Sequence, residues 1–317
     1  MLFLTESEVQ RLFSLDDALN AVEEVTLLQG EGKVLNHPRQ RLRVSNVFFH
    51  SMMAAVPGWN VFGGKVYTTT RGRTEFFVYL YSAEDGALLS VMQAKTLGQR
   101  RTGAASAVAT KHLSRKDCSI LGVIGSGFQA ETQLEAICAV RPVRNVLVYS
   151  RSKEHRERFV EKMQSNVDAE VRTVASGEEA IRRADIIVSA TTSKEPVVLG
   201  AWLREGQHLN ATGGNLLVRR ELDEEAVKRC DVLVVDSVEQ AKHECGEFLP
   251  LLEKGRLHWN QVHELHEATS RNLRSKENLI TLFKSHGIAA WDVASARVVY
   301  QKAREQKVGR EIAVPQS

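Results

Sequence analysis

A doubly wound α/β fold joined to a smaller α+β domain is what the sequence predicts, and three observations predict it. After Asp117 short apolar runs alternate with amphipathic helical stretches, the pattern of successive parallel βαβ units. One such run, Ile120-Leu-Gly-Val-Ile124, leads straight into Gly125-Ser-Gly127-Phe-Gln-Ala130 and then a helical pattern. That is the strand, turn and helix order in which a Gly-x-Gly-x-x-Ala turn receives a dinucleotide pyrophosphate. Before Lys111, by contrast, short β-rich pieces dominate, two of them separated by a hairpin signal.

The composition fits this reading. A chain of 317 residues holds two domains of ordinary size, and 43% apolar with 26% charged residues, 21 Gly and 6 Pro describe a globular protein, not a disordered, collagen-like or membrane chain. No run approaches the ~20 apolar residues of a bilayer crossing. Met1-Leu-Phe-Leu-Thr-Glu6 turns acidic too early for a signal peptide, so the expected compartment is the cytoplasm. The 42 basic and 39 acidic residues are spread along the chain, which argues against nucleic acid as a partner. Cys118, Cys138, Cys230 and Cys245 lie far apart with no metal-ligand spacing and are expected to be reduced.

Taken in order, the first 30 residues read as helical, with Ser14 as N-cap before Leu15-Asp-Asp-Ala-Leu-Asn-Ala-Val22. Gly64–Thr70, Thr74–Tyr81 and Leu88–Met92 read as strands of an antiparallel sheet, the turn Ala83-Glu-Asp-Gly86 joining the last two. The pattern changes near Lys111–Asp117, giving domains at 1–115, completed by about 293–317, and at 116–292. In the second, six strands are expected: Ser119–Gly125, Asn145–Ser150, Glu170–Val174, Asp185–Ala190, His208–Thr212 and Asp231–Asp236. Helices are expected at Phe128–Val140, Glu154–Met163, Gly177–Arg183 and Arg220–Arg229, with Trp291–Arg304 returning to the first domain.

In a Rossmann-type domain of this kind, Gly125 permits the tight turn, Gly127 lets the backbone approach the pyrophosphate and Ala130 allows close contact between helix and strand. The helix N-terminus adds unpaired N–H groups. Ser126, Phe128 and Gln129 complete the turn. The bland alternative is a glycine turn in a non-binding domain. At the end of the second strand, where an acid would accept ribose hydroxyls, the sequence reads Ser150-Arg151-Ser152-Lys153. The absence of a carboxylate favours NADP(H) over NAD(H), unless Arg151 is only a solvated loop residue. Thr102, Ala190, Thr191, Thr192 and Gly213 are the remaining candidate cofactor contacts.

Three cations of the first domain, Arg39, Lys65 and Arg101, sit in strand-like or glycine-flanked segments. Converging, they would hold a carboxylate, which an Arg fork binds through two parallel hydrogen bonds. Scattered, they are surface charges, and spacing does not decide.

The tract Thr96-Leu-Gly-Gln-Arg-Arg-Thr-Gly-Ala-Ala-Ser-Ala-Val-Ala-Thr110, with the Gly125–Ala130 turn, resembles the ornithine cyclodeaminase and mu-crystallin family. Also similar to it are Gly63-Gly-Lys65, His208-Leu-Asn-Ala-Thr-Gly-Gly214, Val235-Asp236-Ser237 and Thr281-Leu-Phe-Lys-Ser-His-Gly-Ile-Ala-Ala-Trp-Asp292. The resemblance implies a nicotinamide-dependent enzyme acting on amino acids or cyclic imines, with a substrate domain that forms a homodimer. It implies that Arg39, Lys65 and Arg101 hold a substrate carboxylate and that Met52, or its neighbour Met53, lines the pocket. The family's His-x-Asn-Ala-x-Gly-Gly-Asp motif ends here in Asn215, and an amide is no acid or base at neutral pH. A pocket glutamate of the cyclodeaminases is also missing near His50 and Ser51. Ser150-Arg-Ser-Lys-Glu154 is similar to the Asn-Arg-Thr-Lys-Glu of mu-crystallin, an NADPH binder.

The expected chemistry is hydride transfer from NADPH to the C=N carbon of a small carboxylated imine, such as pyrroline- or piperideine-2-carboxylate. Lys65 or a water supplies the proton, and His50 is a weaker candidate. The alternatives are an ornithine- or lysine-type cyclodeaminase, an alanine- or opine-type dehydrogenase, and a non-catalytic NADPH-binding crystallin. Asp236 ends a strand of the nucleotide domain and is either a catalytic residue of the crevice or the cap of the helix from Val238. His258, His263 and His266 with Glu264 and Glu267 lack metal-site order and read as a solvated helix face, so no metal is expected.

Overall fold

A computed structural model describes residues 1–70 and 72–313. They form two compact units, residues 1–101 with the segment from Gly287 onward, and residues 102–286. The divisions read from the sequence pattern stand later, at 115/116 and 292/293. The first break falls inside a helix, where hydrophobic patterning gives no signal.

The N-terminal unit begins with β1 (Leu2–Leu4), α1 (Glu6–Leu12) and α2 (Leu15–Gly30). Ser14 caps α2 as its sequence predicts: its hydroxyl accepts from the Asp17 N–H at 3.1 Å, and the Asp17 carboxylate accepts from the Ser14 N–H at 2.8 Å. A five-stranded meander follows, β2 (Leu35–Val44), β3 (Val47–Val56), β4 (Val61–Thr69), β5 (Thr74–Ser82) and β6 (Leu88–Gln93), each antiparallel to the next. Gly86, at φ +72°, closes the turn between β5 and β6. β2 and β3 escape the sequence reading, because Leu42, Val44, Phe48 and Phe49 on their outer reaches are exposed and blur the alternation.

The glycine-flanked tract that carries Arg101 is a helix, α3 (Lys95–Leu113), to which the sequence pattern assigned no element. Its start is fixed by Glu6, whose carboxylate accepts the N–H groups of Lys95 and Thr96 at 2.9 and 2.6 Å. The alanines from Ala104 to Ala109 are fully buried, so the helix shows no amphipathic stripe to read.

The second unit runs β7 (Ile120–Ile124), α4 (Phe128–Val140), β8 (Asn145–Tyr149), α5 (Lys153–Gln164), β9 (Glu170–Thr173), α6 (Gly177–Arg183), β10 (Ile186–Ser189), β11 (His208–Ala211) and α7 (Glu224–Arg229). It continues with β12 (Val232–Val235), α8 (Val238–Glu244), α9 (Leu249–Glu253), β13 (Val262–Glu264), α10 (Leu265–Ser270) and β14 (Thr281–Lys284). Its sheet is parallel throughout, in the order β13-β12-β14-β11-β10-β7-β8-β9. The sheet thus has eight strands and not the expected six. β13 and β14 are short, and β14, buried on both faces, has no alternation. α7 also starts later than Arg220, because the Asp223 carboxylate takes the Ala226 N–H at 2.7 Å and caps the helix there. From β7 the chain winds outward through β8 and β9, then returns to β10 on the other side. The strand ends beside β7 are therefore a topological switch point, where ligands of open α/β sheets bind.

The chain closes with α11 (Ala289–Gln306) and β15 (Arg310–Glu311), back in the first unit. That sheet reads β15-β1-β6-β5-β4-β3-β2, with β1 parallel to β6. α11 packs on β3, β4 and β5 and beside α2, and its fully buried Trp291 donates its indole N–H to Thr26 Oγ1 at 3.2 Å. Cys118, Cys230 and Cys245 are buried, Cys138 half-buried, and all four are free. Among the described residues no helix is long and apolar enough to cross a membrane.

Candidate active site

In the second unit the turn after β7 opens on a cavity of about 980 Å³. Gly125 sits at φ +113°, and a Cβ there would lie 2.5 Å from the Ala190 carbonyl oxygen, so only glycine fits. Gly127 is the N-cap of α4, with nothing within 4 Å of where its Cβ would be. That open space in front of the first N–H groups of a 13-residue helix suits a pyrophosphate. Gly125, Ser126, Gly127, Ser150, Arg151, Ser152, Ala190, Thr191 and Thr192 all line the cavity, as does His155, which the sequence reading passed over. Ser126 Oγ donates to Ser150 Oγ at 2.8 Å, fastening the glycine turn to the end of β8. Tyr149 and Trp202 add aromatic surface to the wall.

Other expected contacts lie outside that lining. Lys153 points along α5 toward Glu157, 3.8 Å away. Phe128 is exposed at the start of α4, the Thr102 carbonyl accepts from Gln133 Nε2 at 3.1 Å, and Gln129 lies in the first turn of α4. The Gly213 N–H is taken by Glu221 at 2.6 Å. Asn215 is half-buried in the loop after β11. Asp236 does not cap α8: Ser237 does, accepting the Gln240 N–H at 3.4 Å. The buried Asp236 carboxylate instead accepts the His286 N–H at 2.8 Å and the Ser285 hydroxyl at 3.1 Å, holding the chain just after β14.

In the first unit Arg39, Lys65 and Arg101 are buried, at 7%, 3% and 5% exposure, so none is the surface charge of the bland alternative. A register shift between His37 and Gln40, next to Pro38, turns Arg39 inward from β2. Its Nη2 donates to the Gly287 carbonyl at 3.1 Å, and its Nε lies 3.4 Å from Met52 Sδ. Met52 is buried opposite Lys65 across the β3–β4 ladder, whereas Met53 points outward and is 46% exposed.

Asp292 of α11 joins two of these cations, Lys65 and Arg101. Its Oδ1 accepts from Lys65 Nζ and from Arg101 Nε, both at 2.9 Å. Against the cost of burial, Arg101 and Lys65 hold its carboxyl below the usual range. For Lys65 the balance goes the other way: burial and the neighbouring Arg101 outweigh Asp292 and bring the ammonium down to about 7. An arrangement of two guanidinium groups, an amine poised at neutral pH and one internal carboxylate can bind an acid and give a proton to a group beside it. Asp292 ends the Thr281–Asp292 tract that resembles the family, and the sequence alone gives it no role. Its place one helical turn into α11, after the buried Ala289-Ala-Trp291, was the signal available.

His50 faces Tyr67 across the ladder, ring centroids 4.1 Å apart and planes 2° from parallel. Burial and the nearby Arg41 and Arg39 push its imidazole down to about 4, so at neutral pH it carries no proton to give as a cation. At the other end of the chain, His263 pairs with Glu267 at 3.1 Å and His266 with Glu264 at 3.2 Å. Among the described residues no three His, Cys, Asp or Glu are grouped to hold a metal ion.

The profile of the ornithine cyclodeaminase/mu-crystallin family matches residues 1–307. The chain belongs to this family. An alanine dehydrogenase of Archaeoglobus fulgidus is 36% identical over 321 residues, covering 98% of each chain. The structure of a Thermococcus litoralis Delta(1)-pyrroline-2-carboxylate reductase in complex with NADH and L-proline superposes with a TM-score of 0.93 at 36% identity, over 98% of this chain and 100% of that one. An archaeal alanine dehydrogenase dimer with bound NAD superposes at 0.92 with 36% identity, over 99% of both. As in its relatives of known structure, the fold of this family member pairs a parallel dinucleotide-type sheet with a second unit.

Proposed function

We propose that this family member is an NADPH-dependent reductase of small carboxylated imines, with cyclic imino acids such as pyrroline-2-carboxylate as the preferred substrate class. The observation that carries the proposal is the set of buried cations Arg39, Lys65 and Arg101, of which Lys65 and Arg101 share the carboxylate of Asp292. Three cations against one internal carboxylate leave a positive surplus that a substrate carboxylate offsets, and the two guanidinium groups orient that carboxylate. The nicotinamide, when bound, supplies hydride to the C=N carbon. Lys65, brought down to about 7, gives a proton to the imine nitrogen, so that C=N becomes CH–NH. Met52 forms an apolar wall. Asp236, closed from solvent, acts by fixing Ser285 and His286 and not by moving a proton. Asn215 offers no acid or base, which speaks against ring-closing deamination of ornithine.

Arg151 and His155 on the cavity wall, with no carboxylate at the end of β8, favour the 2′-phosphate of NADPH over the free hydroxyl of NADH. Homodimerisation through the first unit is supported by the exposed apolar face of β2, β3 and β4, where Leu42, Val44, Phe49, Met53 and Phe62 stand in water. An alanine dehydrogenase reading has one observation of its own, the relative matched over 98% of both chains. It shares the same step, since ammonia and a 2-oxo acid first give an imine.

Arg101→Met tests the carboxylate role. The expected result is a roughly hundredfold fall in kcat/KM for a carboxylated imine and little change for the same ring without its carboxylate. Equal rates for wild type and variant on the carboxylated imine would dismiss the role.

A further inference from the structure

Glu221 belongs to no helix, strand or motif that the reaction uses, yet it is 1% exposed and its carboxylate is fully engaged. Oε1 accepts the Thr191 N–H at 2.7 Å, the Thr191 hydroxyl at 2.8 Å and the Ser189 hydroxyl at 2.7 Å, while Oε2 accepts the Gly213 N–H at 2.6 Å. Its carbonyl oxygen takes the N–H groups of Val197 and Val198 at 2.8 and 2.9 Å. One residue therefore ties together the chain leaving β10, the stretch at Val197 and the chain leaving β11. Thr191 and Val197 line the cavity. The fit is close: a Cβ on Gly213 would lie 2.3 Å from the Thr191 carbonyl oxygen and 2.5 Å from Glu221 Oε1.

We infer that Glu221 is a positioning residue for the dinucleotide, setting the wall of the cavity on the β10 side of the switch point through the two main-chain N–H groups that donate to its carboxylate. The inference rests on the dinucleotide reading above. Behind Glu221 stands a second buried acid, Glu247, which accepts the Glu221 N–H at 3.2 Å and lies 3.4 Å from Lys284 Nζ. Lys284 in turn donates to the Gly214 carbonyl at 2.7 Å, so the charge of the pair of acids is partly matched and the loop after β11 is gripped twice. Burial alone would push the Lys284 ammonium down, but Glu247 and Glu221 outweigh it and hold it above its ordinary value. The chemistry requires a carboxylate and not an amide. Two N–H donors meet its two oxygens, and an amide has only one acceptor oxygen, its NH2 facing the other N–H.

The test is a pair of titrations on wild type and Glu221→Gln, one with NADPH and one with adenosine 2′,5′-bisphosphate. The bisphosphate has no nicotinamide half, and its expected partners, Ser150 to His155, follow β8, on the other side of β7 from β10. The account expects E221Q to melt cooperatively, with the NADPH Kd raised about tenfold or more and the bisphosphate Kd within about twofold of wild type. An unchanged NADPH Kd, or equal weakening of both ligands, overturns the inference. Should E221Q fail to fold, Ser189→Ala removes a single hydroxyl donor and is expected to raise the NADPH Kd about threefold without touching the bisphosphate. No change in S189A would then overturn the inference. Wild type that binds neither NADPH nor NADH overturns the dinucleotide reading itself, a distinct outcome.

Discussion

The two units solve the problem of holding an anion by opposite means. The nucleotide cavity of the second unit meets its expected phosphates with main-chain N–H groups at a helix start, backed by Gly125 at φ +113° and by hydroxyls. The first unit meets its expected carboxylate with buried side-chain charge, and keeps that charge tolerable by an internal acid, Asp292, shared by Lys65 and Arg101. Backbone donors cost no charge burial and need only local geometry. Side-chain cations must be brought from β2, β4 and α3 and compensated once there. The first arrangement is a matter of shape, the second of electrostatic balance, and substitutions should separate them.

The largest expected effect strikes the balance. Asp292→Asn leaves Lys65 and Arg101 buried side by side without their counter-charge, and should cost about 3–5 kcal/mol of unfolding free energy, read by urea denaturation. A loss under about 1 kcal/mol would mean that the cluster does not depend on its acid. Next, Gly125→Ala strikes the shape. The left-handed backbone and the contact with the Ala190 carbonyl should raise the NADPH Kd roughly tenfold to hundredfold in a calorimetric titration. If the nucleotide affinity held, the turn would not be the cradle.

A third effect is a pH dependence peculiar to the charged unit. With Lys65 lowered to about 7, kcat/KM for an imine that arrives neutral should decline as pH rises through about 7, and Lys65→Arg should flatten that limb while lowering the rate. The sign for stability is the reverse. The unfolded chain holds this proton up to the ordinary lysine range and the folded chain releases it near 7, so the Lys65 contribution to stability grows between those values and is smallest below them. The smallest expected effect is on cofactor choice: Arg151→Asp should weaken NADPH several-fold more than NADH in fluorescence titrations. Equal losses would remove Arg151 from the phosphate site.

The same contrast explains what the sequence made legible. The Gly125–Ala130 turn, its helix and the basic end of β8 are contiguous in the chain, so their geometry could be read from spacing. Arg39, Lys65 and Arg101 could not be brought together by any local rule, and only the family resemblance suggested a common role. Asp292 stayed hidden because its partners on β4 and α3 are far along the chain, and Glu221 because it lies in irregular chain and joins the ends of β10 and β11, a pairing that no local pattern announces. β14 shows no alternation that would mark it in the sequence, and α3, buried among small residues, has no polar face to mark its period.

The most direct measurement follows the absorbance of reduced nicotinamide while the protein is offered pyrroline-2-carboxylate, piperideine-2-carboxylate or pyruvate with ammonia, alongside ornithine without reductant. The account predicts NADPH consumption matched mole for mole by the saturated amino-acid product with a cyclic imine, and no ammonia from ornithine. Ammonia released from ornithine with the cofactor pool unchanged would contradict it.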